Sequence, residues 1–192
     1  YAYDVAARPG FYTTPSGTPT STYYADGRLK TTATLLGTAP VSPPVSYAYA
    51  THGLRGGGVK TTVTTSGPDI PSFATATYSD LAGRTFLTES PGYDGATLSA
   101  ETFFDERGRA TGRTSTGRPA TRRVLNGLGE TTQSWTDSNG DGAFNDTPID
   151  GIRDSVTLAE TDWVTEDGLA CRRTRQWVRD DSGTDILLAT AY

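Results

Sequence analysis

Apolar or β-branched residues alternate with polar ones in short runs along this chain, and each run stops at a cluster of Gly, Asp, Asn or Pro. Period-two alternation marks strands with two distinct faces, and no stretch shows the i, i+3, i+4, i+7 spacing of a helix. Consecutive runs predict hairpins: 20–24 with 29–35, 73–78 with 84–88, 100–104 with 109–115, 121–125 with 130–134, and 161–165 with 169–177. The runs 45–50 and 59–65 flank a glycine-rich wide turn, THGLRGGG. The Asp-Gly pair in the first turn, through Ala25, Asp26, Gly27 and Arg28, suggests a tight hairpin whose central residues both accept positive φ. The fold class expected is all-β, an array of consecutive antiparallel β-hairpins.

Aligning the chain on its turns exposes an internal repeat. An aromatic, an acid and then Gly-Arg recur as YDVAAR (Tyr3, Asp4, Arg8), YADGR (Tyr24, Asp26, Gly27, Arg28), YSDLAGR (Tyr78, Asp80, Gly83, Arg84) and FDERGR (Phe104, Asp105, Gly108, Arg109). LNGLGE is a degenerate copy, with Leu125 for the aromatic, Asn126 for the acid and Glu130 for the Arg. The glycine supplies a backbone conformation other residues adopt only at a cost, and the acid beside it can accept the turn's own amides. The aromatic is expected to face its equivalent one repeat along, so that Tyr24, Tyr78 and Phe104 occupy matching positions, with Arg stacked on the ring or paired with a neighbouring Asp. A lone hairpin is marginal, so stability must be shared between neighbours.

These units resemble the tyrosine-aspartate (YD) repeats of Rhs proteins, in which a Y-D-x-x-G-R turn joins a strand to a Thr-rich one; FDERGRATGRTST is similar to one such unit. The resemblance implies a β-sheet spiral able to close into a hollow shell, and with it a structural role, an extracellular or cell-surface location, and as partners the remainder of a parent chain: neighbouring repeats and an enclosed effector domain. Departures are visible, since Ala7 stands where the first turn would have Gly, Ala25 changes the spacing of the second, and the family's DPxGL-type ending is absent. On this reading residues 1–136 form the hairpin array, 137–153 an inserted loop, and 154–192 the final hairpin and strand.

Composition narrows the picture further. With 34 threonines, 22 glycines and 11 prolines among 192 residues, helix formers are too few for a bundle. No apolar run approaches a membrane span and the first residues lack the form of a signal peptide; the absence of Met reads as a piece of a longer polypeptide. A net charge of −5 argues against nucleic acid, leaving the clusters Arg113, Arg118, Arg122, Arg123 and Arg172, Arg173, Arg175, Arg179 as solvated strand faces. Cys171 is alone and makes no internal disulfide.

The sharpest local motif is DSNGDGAFND, which sets Asp137, Asn139, Asp141, Ala143 and Asn145 at positions 1, 3, 5, 7 and 9 of an EF-hand-like calcium loop, with Gly142 at the sharp turn. Pro148 stands where a bidentate Glu is needed, so Asp146 or Asp150 would have to complete the shell. The competing reading is a surface loop whose polar residues make their own turns. Elsewhere the chemistry is thin: His52 sits before Gly53 in what reads as an exposed turn, too isolated to pair with Cys171. Glu160, Asp162, Glu166 and Asp167 could flank a glycosidic bond but read as solvated acids. GLRGGG lacks the Lys-Ser/Thr of a phosphate loop. The expected function is a non-enzymatic shell wall or spacer; the alternative is a calcium-stabilised module presenting Trp135, Trp163 or Trp177 to glycans or a protein partner.

Overall fold

A computed structural model describes residues 17–67, 71–145, 154–180 and 182–192 in full, and the backbone alone at 2–3, 9–11 and 70. Among them are sixteen strands: β1 (Ala2–Tyr3), β2 (Pro9–Phe11), β3 (Thr18–Tyr23), β4 (Leu29–Leu36), β5 (Ala39–Pro40), β6 (Val45–His52), β7 (Gly58–Gly67), β8 (Ile70–Asp80), β9 (Thr85–Pro91), β10 (Thr97–Phe104), β11 (Ala110–Ser115), β12 (Arg118–Leu125), β13 (Thr131–Thr136), β14 (Ser155–Glu166), β15 (Leu169–Arg179) and β16 (Asp185–Ala191). The only helical element described is one 3₁₀ turn, Leu54–Gly56, inside the glycine-rich connection. The chain is all-β, as the alternation predicts.

Two compact units divide it, Tyr1–Ser99 and Ala100–Tyr192. In the first the strands lie in the order β1-β2-β3-β4-β6-β7-β8-β9, with the short β5 paired to β4; in the second the order is β10-β11-β12-β13-β14-β15-β16. The strand pairs among the described residues are antiparallel, and neither order returns to its first strand, so both sheets are open. Sequential neighbours pair because short turns leave a strand little else to reach.

The turns share one backbone plan. At 24–28, 80–84, 92–96, 105–109, 126–130 and 180–184 the first residue's N–H donates to the carbonyl of the fifth, and the fourth residue's N–H donates to the carbonyl of the first. That fourth residue is Gly27, Gly83, Gly95, Gly108, Gly129 or Gly183, with φ between 78° and 92°. This is the three-residue hairpin loop with a left-handed Gly, so the first turn corrects the expectation of two central residues at positive φ: Asp26 is not among the positive-φ positions. The tighter geometry appears instead at Asp167 and Gly168, φ 49° and 80°, closing β14 onto β15.

Four of these hairpins slip register just past the turn. Tyr23 faces Leu29 while Thr22 faces Thr31, and the same step recurs at Ser79 and Tyr78, Phe104 and Phe103, and Leu125 and Val124. The residue left over in the second strand is Lys30, Phe86, Thr111 or Thr132, a bulge of the kind that bends and twists a strand. At Phe86 the bulge serves the small core of the first unit, where Ala76, Tyr78 and Phe86 are buried. His52 belongs to that core, correcting its reading as an exposed turn residue. Its ring meets Tyr78 and Phe86 edge-on at 5.4 and 5.6 Å, and its Nε2 donates to the Ser79 carbonyl at 3.0 Å. In the second unit the buried groups are Val156, Asp137 and Asp154.

Candidate functional site

Function can be sought first where the same chemistry recurs, and that is in the turns. Asp80 accepts the amides of Ala82 and Arg84 on Oδ1, each at 2.9 Å, and the Arg84 Nε at 2.8 Å on Oδ2. Asp105 repeats this with the amides of Arg107 and Arg109 at 3.0 and 2.8 Å and the Arg109 Nε at 2.7 Å. One carboxylate thus ties both ends of its own loop, which is why Asp and Gly must stand three residues apart. The Arg84 side chain, and then its amide, holds the Asp80 carboxyl below the usual aspartate range; at Asp105 the Arg109 amide dominates, with the guanidinium behind it.

The degenerate copy keeps the geometry. Asn126 Oδ1 accepts the amides of Leu128 and Glu130, both at 2.9 Å, and Arg109 NH1 reaches the Asn126 carbonyl at 2.9 Å, linking adjacent turns. A further copy escaped the sequence reading: Asp180 Oδ1 accepts the amides of Ser182 and Thr184 at 2.9 and 2.8 Å. The signal that could have found it is Asp with Gly three residues later, without aromatic or Arg. At 24–28 and 92–96 the acid sits two residues further on instead, where Asp26 and Asp94 accept the amides of Arg28 and Ala96 at 3.1 and 3.0 Å.

This hydrogen-bond alignment overturns the expected match of the aromatics. Tyr24 is itself the first residue of its turn, Tyr78 stands two before Asp80, and Phe104 one before Asp105. Successive strand positions point to opposite faces, so Phe104, one residue before its turn acid, does not hold the position that Tyr78 holds two residues before its own. Tyr24 meets Tyr49 edge-on at 6.0 Å and its hydroxyl donates to the Tyr47 carbonyl at 2.8 Å, while Tyr78 donates to Glu89 at 2.8 Å. Arg28 lies 4.5 Å over the Tyr49 ring while its Nε donates to Asp26 at 2.7 Å. In the first repeat Tyr3 lies in β1 with its side chain outside the described residues, as are Asp4 and Arg8 altogether.

The loop between β13 and β14 is built around two buried carboxylates. Asp137 accepts the amides of Gly140 and Gly142 at 2.7 and 3.0 Å, and Asp154, across the loop, those of Ser138 and Asn145 at 2.8 and 2.7 Å. Asn139 accepts the Asp141 amide at 3.1 Å, and Asp141 accepts the Ala143 amide at 2.8 Å and the side-chain amides of Asn139 and Asn145, both at 3.1 Å. Of the candidate calcium ligands, Asp137, Asn139 and Asp141 thus each accept amides of their own loop. Asp146 and Asp150 fall outside the described residues, among which no group of three or more His, Cys, Asp or Glu is gathered for a metal. Asp154 was not foreseen, because nothing in the sequence says that it folds back sixteen residues onto Ser138.

On β14 and β15 two of the four acids weighed for glycosidic chemistry, Glu160 and Asp162, face arginines directly across the ladder, while Glu166 faces Leu169. Asp162 receives Arg173 in a two-pronged contact, 3.1 Å from Nε and 2.6 Å from NH2, and Glu160 receives Arg175 at 2.8 Å. The Arg173 guanidinium holds the Asp162 carboxyl below its usual range. Arg172 pairs with Glu130, and Arg179 with Asp185 at 2.7 Å. One arginine cluster of the sequence is thus engaged with acids. Cys171, half-buried, faces Val164, and it and His52 fall in separate units.

Among the described residues no helix is long and apolar enough to cross a membrane. Compared with protein-family models the chain matches none, and compared with curated proteins it likewise finds no match.

Proposed function

We propose that the chain is a non-enzymatic wall or spacer segment of a secreted or cell-surface protein of the Rhs, YD-repeat kind. The observation that carries this reading is the turn clasp, made with the same backbone and Oδ1 hydrogen bonds at Asp80, Asp105, Asn126 and Asp180. A locally closed turn repeated along a chain lets hairpin follow hairpin without a deep core, and the four buried apolar side chains among the described residues fit such a plan. Open sheets present strand edges that further repeats would cover: β16 ends its order with Ile186, Leu187 and Leu188 all exposed. A second reading, an extracellular binding module, draws on Trp163, which stands 74 % exposed on β14 and offers a ring for stacking.

Electron microscopy of the intact parent polypeptide tests the first reading. Strands continuing beyond β16 into a spiral or shell are expected. A parent in which these strands form a separate globule with β16 uncovered would refute the wall and leave the binding module, whose own mark is glycan or protein capture lost in Trp163→Ala.

A further inference from the structure

Five residues lie in one register row of the second unit: Phe103 on β10, Gly112 on β11, Arg122 on β12, Trp135 on β13 and Val156 on β14. Directly opposed residues project from the same face of a sheet. Gly112 has no side chain, so the row is interrupted between Phe103 and Arg122. A hollow of about 390 Å³ lies there, walled by Phe103 and by Phe144 of the following loop. Phe144 does not hang free, because its ring meets Trp135 edge-on at 6.4 Å and the next amide, of Asn145, is held by Asp154 at 2.7 Å. A Cβ at position 112 would stand 2.8 Å from the Thr121 carbonyl oxygen and 3.6 Å from Phe103, so only glycine keeps this floor open.

Arg122 supplies the charge. Arg109, Arg172, Arg173, Arg175 and Arg179 in the same unit each sit on a carboxylate, whereas the Arg122 side chain makes no ion pair or hydrogen bond among the described residues. Asp105 borders the other side of Arg122, but its carboxylate is already held by Arg109. An apolar slot with aromatic walls and one uncommitted guanidinium selects a flat ring bearing an anion, because a guanidinium can bind a carboxylate through two parallel N–H donors.

We propose that this hollow binds a small planar aromatic carboxylate, its ring between Phe103 and Phe144 over Gly112 and its carboxylate on Arg122. Binding there is independent of the wall or spacer role. The test is isothermal titration of the whole chain with 2-naphthoate, and with 2-naphthalenemethanol as the uncharged counterpart. Saturable one-to-one binding of the acid is expected, weakened tenfold or more when the alcohol replaces it or in Arg122→Gln, and weakened likewise in Phe144→Ala. Arg122 is exposed and makes no contact that folding needs, so its variant should keep the wild-type amide protection of β12 and β13. Absence of saturable binding at millimolar naphthoate, equal affinity for acid and alcohol, or an Arg122→Gln protein that binds as tightly as wild type would each overturn the assignment. Tighter binding of a single-stranded oligonucleotide at the same residues would overturn it too, in favour of base stacking.

Discussion

Asn126 Nδ2 donates to Glu130 Oε2 at 2.8 Å, and this amide–carboxylate contact occupies the place that a carboxylate–guanidinium contact holds between Asp105 and Arg109. Donor and acceptor have exchanged ends across the turn while Oδ1 still receives the backbone amides. The two members must therefore change together. Restoring the repeat's usual acid alone, Asn126→Asp, sets two carboxylates against each other and is expected to lower stability by about 0.5–1 kcal/mol, with Glu130→Gln in the same chain recovering most of it. Urea midpoints of the two variants decide; an Asn126→Asp protein at least as stable as wild type would refute the exchange.

Two glycines separate conformational cost from collision. Gly83 sits at φ 78° with nothing within 4 Å of a built Cβ, so Gly83→Ala should cost only the left-handed penalty, roughly 1–2 kcal/mol. At Gly58, φ 149°, the added carbon would lie 1.9 Å from the Ser79 carbonyl oxygen, in the β7–β8 ladder that also carries His52's acceptor. Gly58→Ala should therefore lose clearly more stability than Gly83→Ala in parallel denaturation curves. Equal losses would mean that β8 gives way freely at Ser79.

Acid should loosen the turns before it unfolds isolated aspartates' neighbours. Asp80, Asp105, Asp162 and Asp185 are all held below the usual value of 3.8, each by an arginine. A depressed folded value stabilises fully above the unfolded value and is lost as pH falls through the folded one. Stability is expected to be flat from about pH 7 to 5 with respect to these groups and to drop below about pH 4. Arg84→Gln should flatten part of that drop, since Asp80 then titrates more nearly as it does unfolded. An identical acid limb in the variant would remove Arg84 from the account.

The loop between β13 and β14 separates a protein clasp from a calcium clip. Asp154 joins the two ends of the loop through Ser138 and Asn145, and Asp154→Ala removes the acceptor of both part-buried amides, a loss of roughly 1–3 kcal/mol. The expected melting temperature is the same in chelator and in millimolar calcium, because the oxygens of Asp137 and Asp141 already receive amides. A calcium-dependent rise abolished by Asp141→Ala would instead establish a bound cation in the loop.

What the sequence determined by itself is the local plan. Alternation fixed which runs are strands, and Asp with Gly three residues later fixed the turns at Asp80 and Asp105, because both signals act within a few residues of chain. Strands extend past the alternating runs, as in Ile70–Asp80 and Ser155–Glu166, and the strand expected after the final hairpin, β16, has no bounds legible in the alternation because Ile186, Leu187 and Leu188 run together. Register, by contrast, was decided only in the folded sheets. The bulges at Lys30, Phe86, Thr111 and Thr132 shift each strand by one residue, and one residue moves a side chain to the opposite face. Register is why Phe86 packs with Tyr78 against His52, and why, in the unbroken β14–β15 ladder, Asp162 and Glu160 meet arginines. It is also why Phe103, Gly112, Arg122 and Trp135, spread over four strands, come to share one row. Each of these depends on which residue of one strand faces which of the next, a choice made by the packing of whole strands and not by any short stretch of sequence.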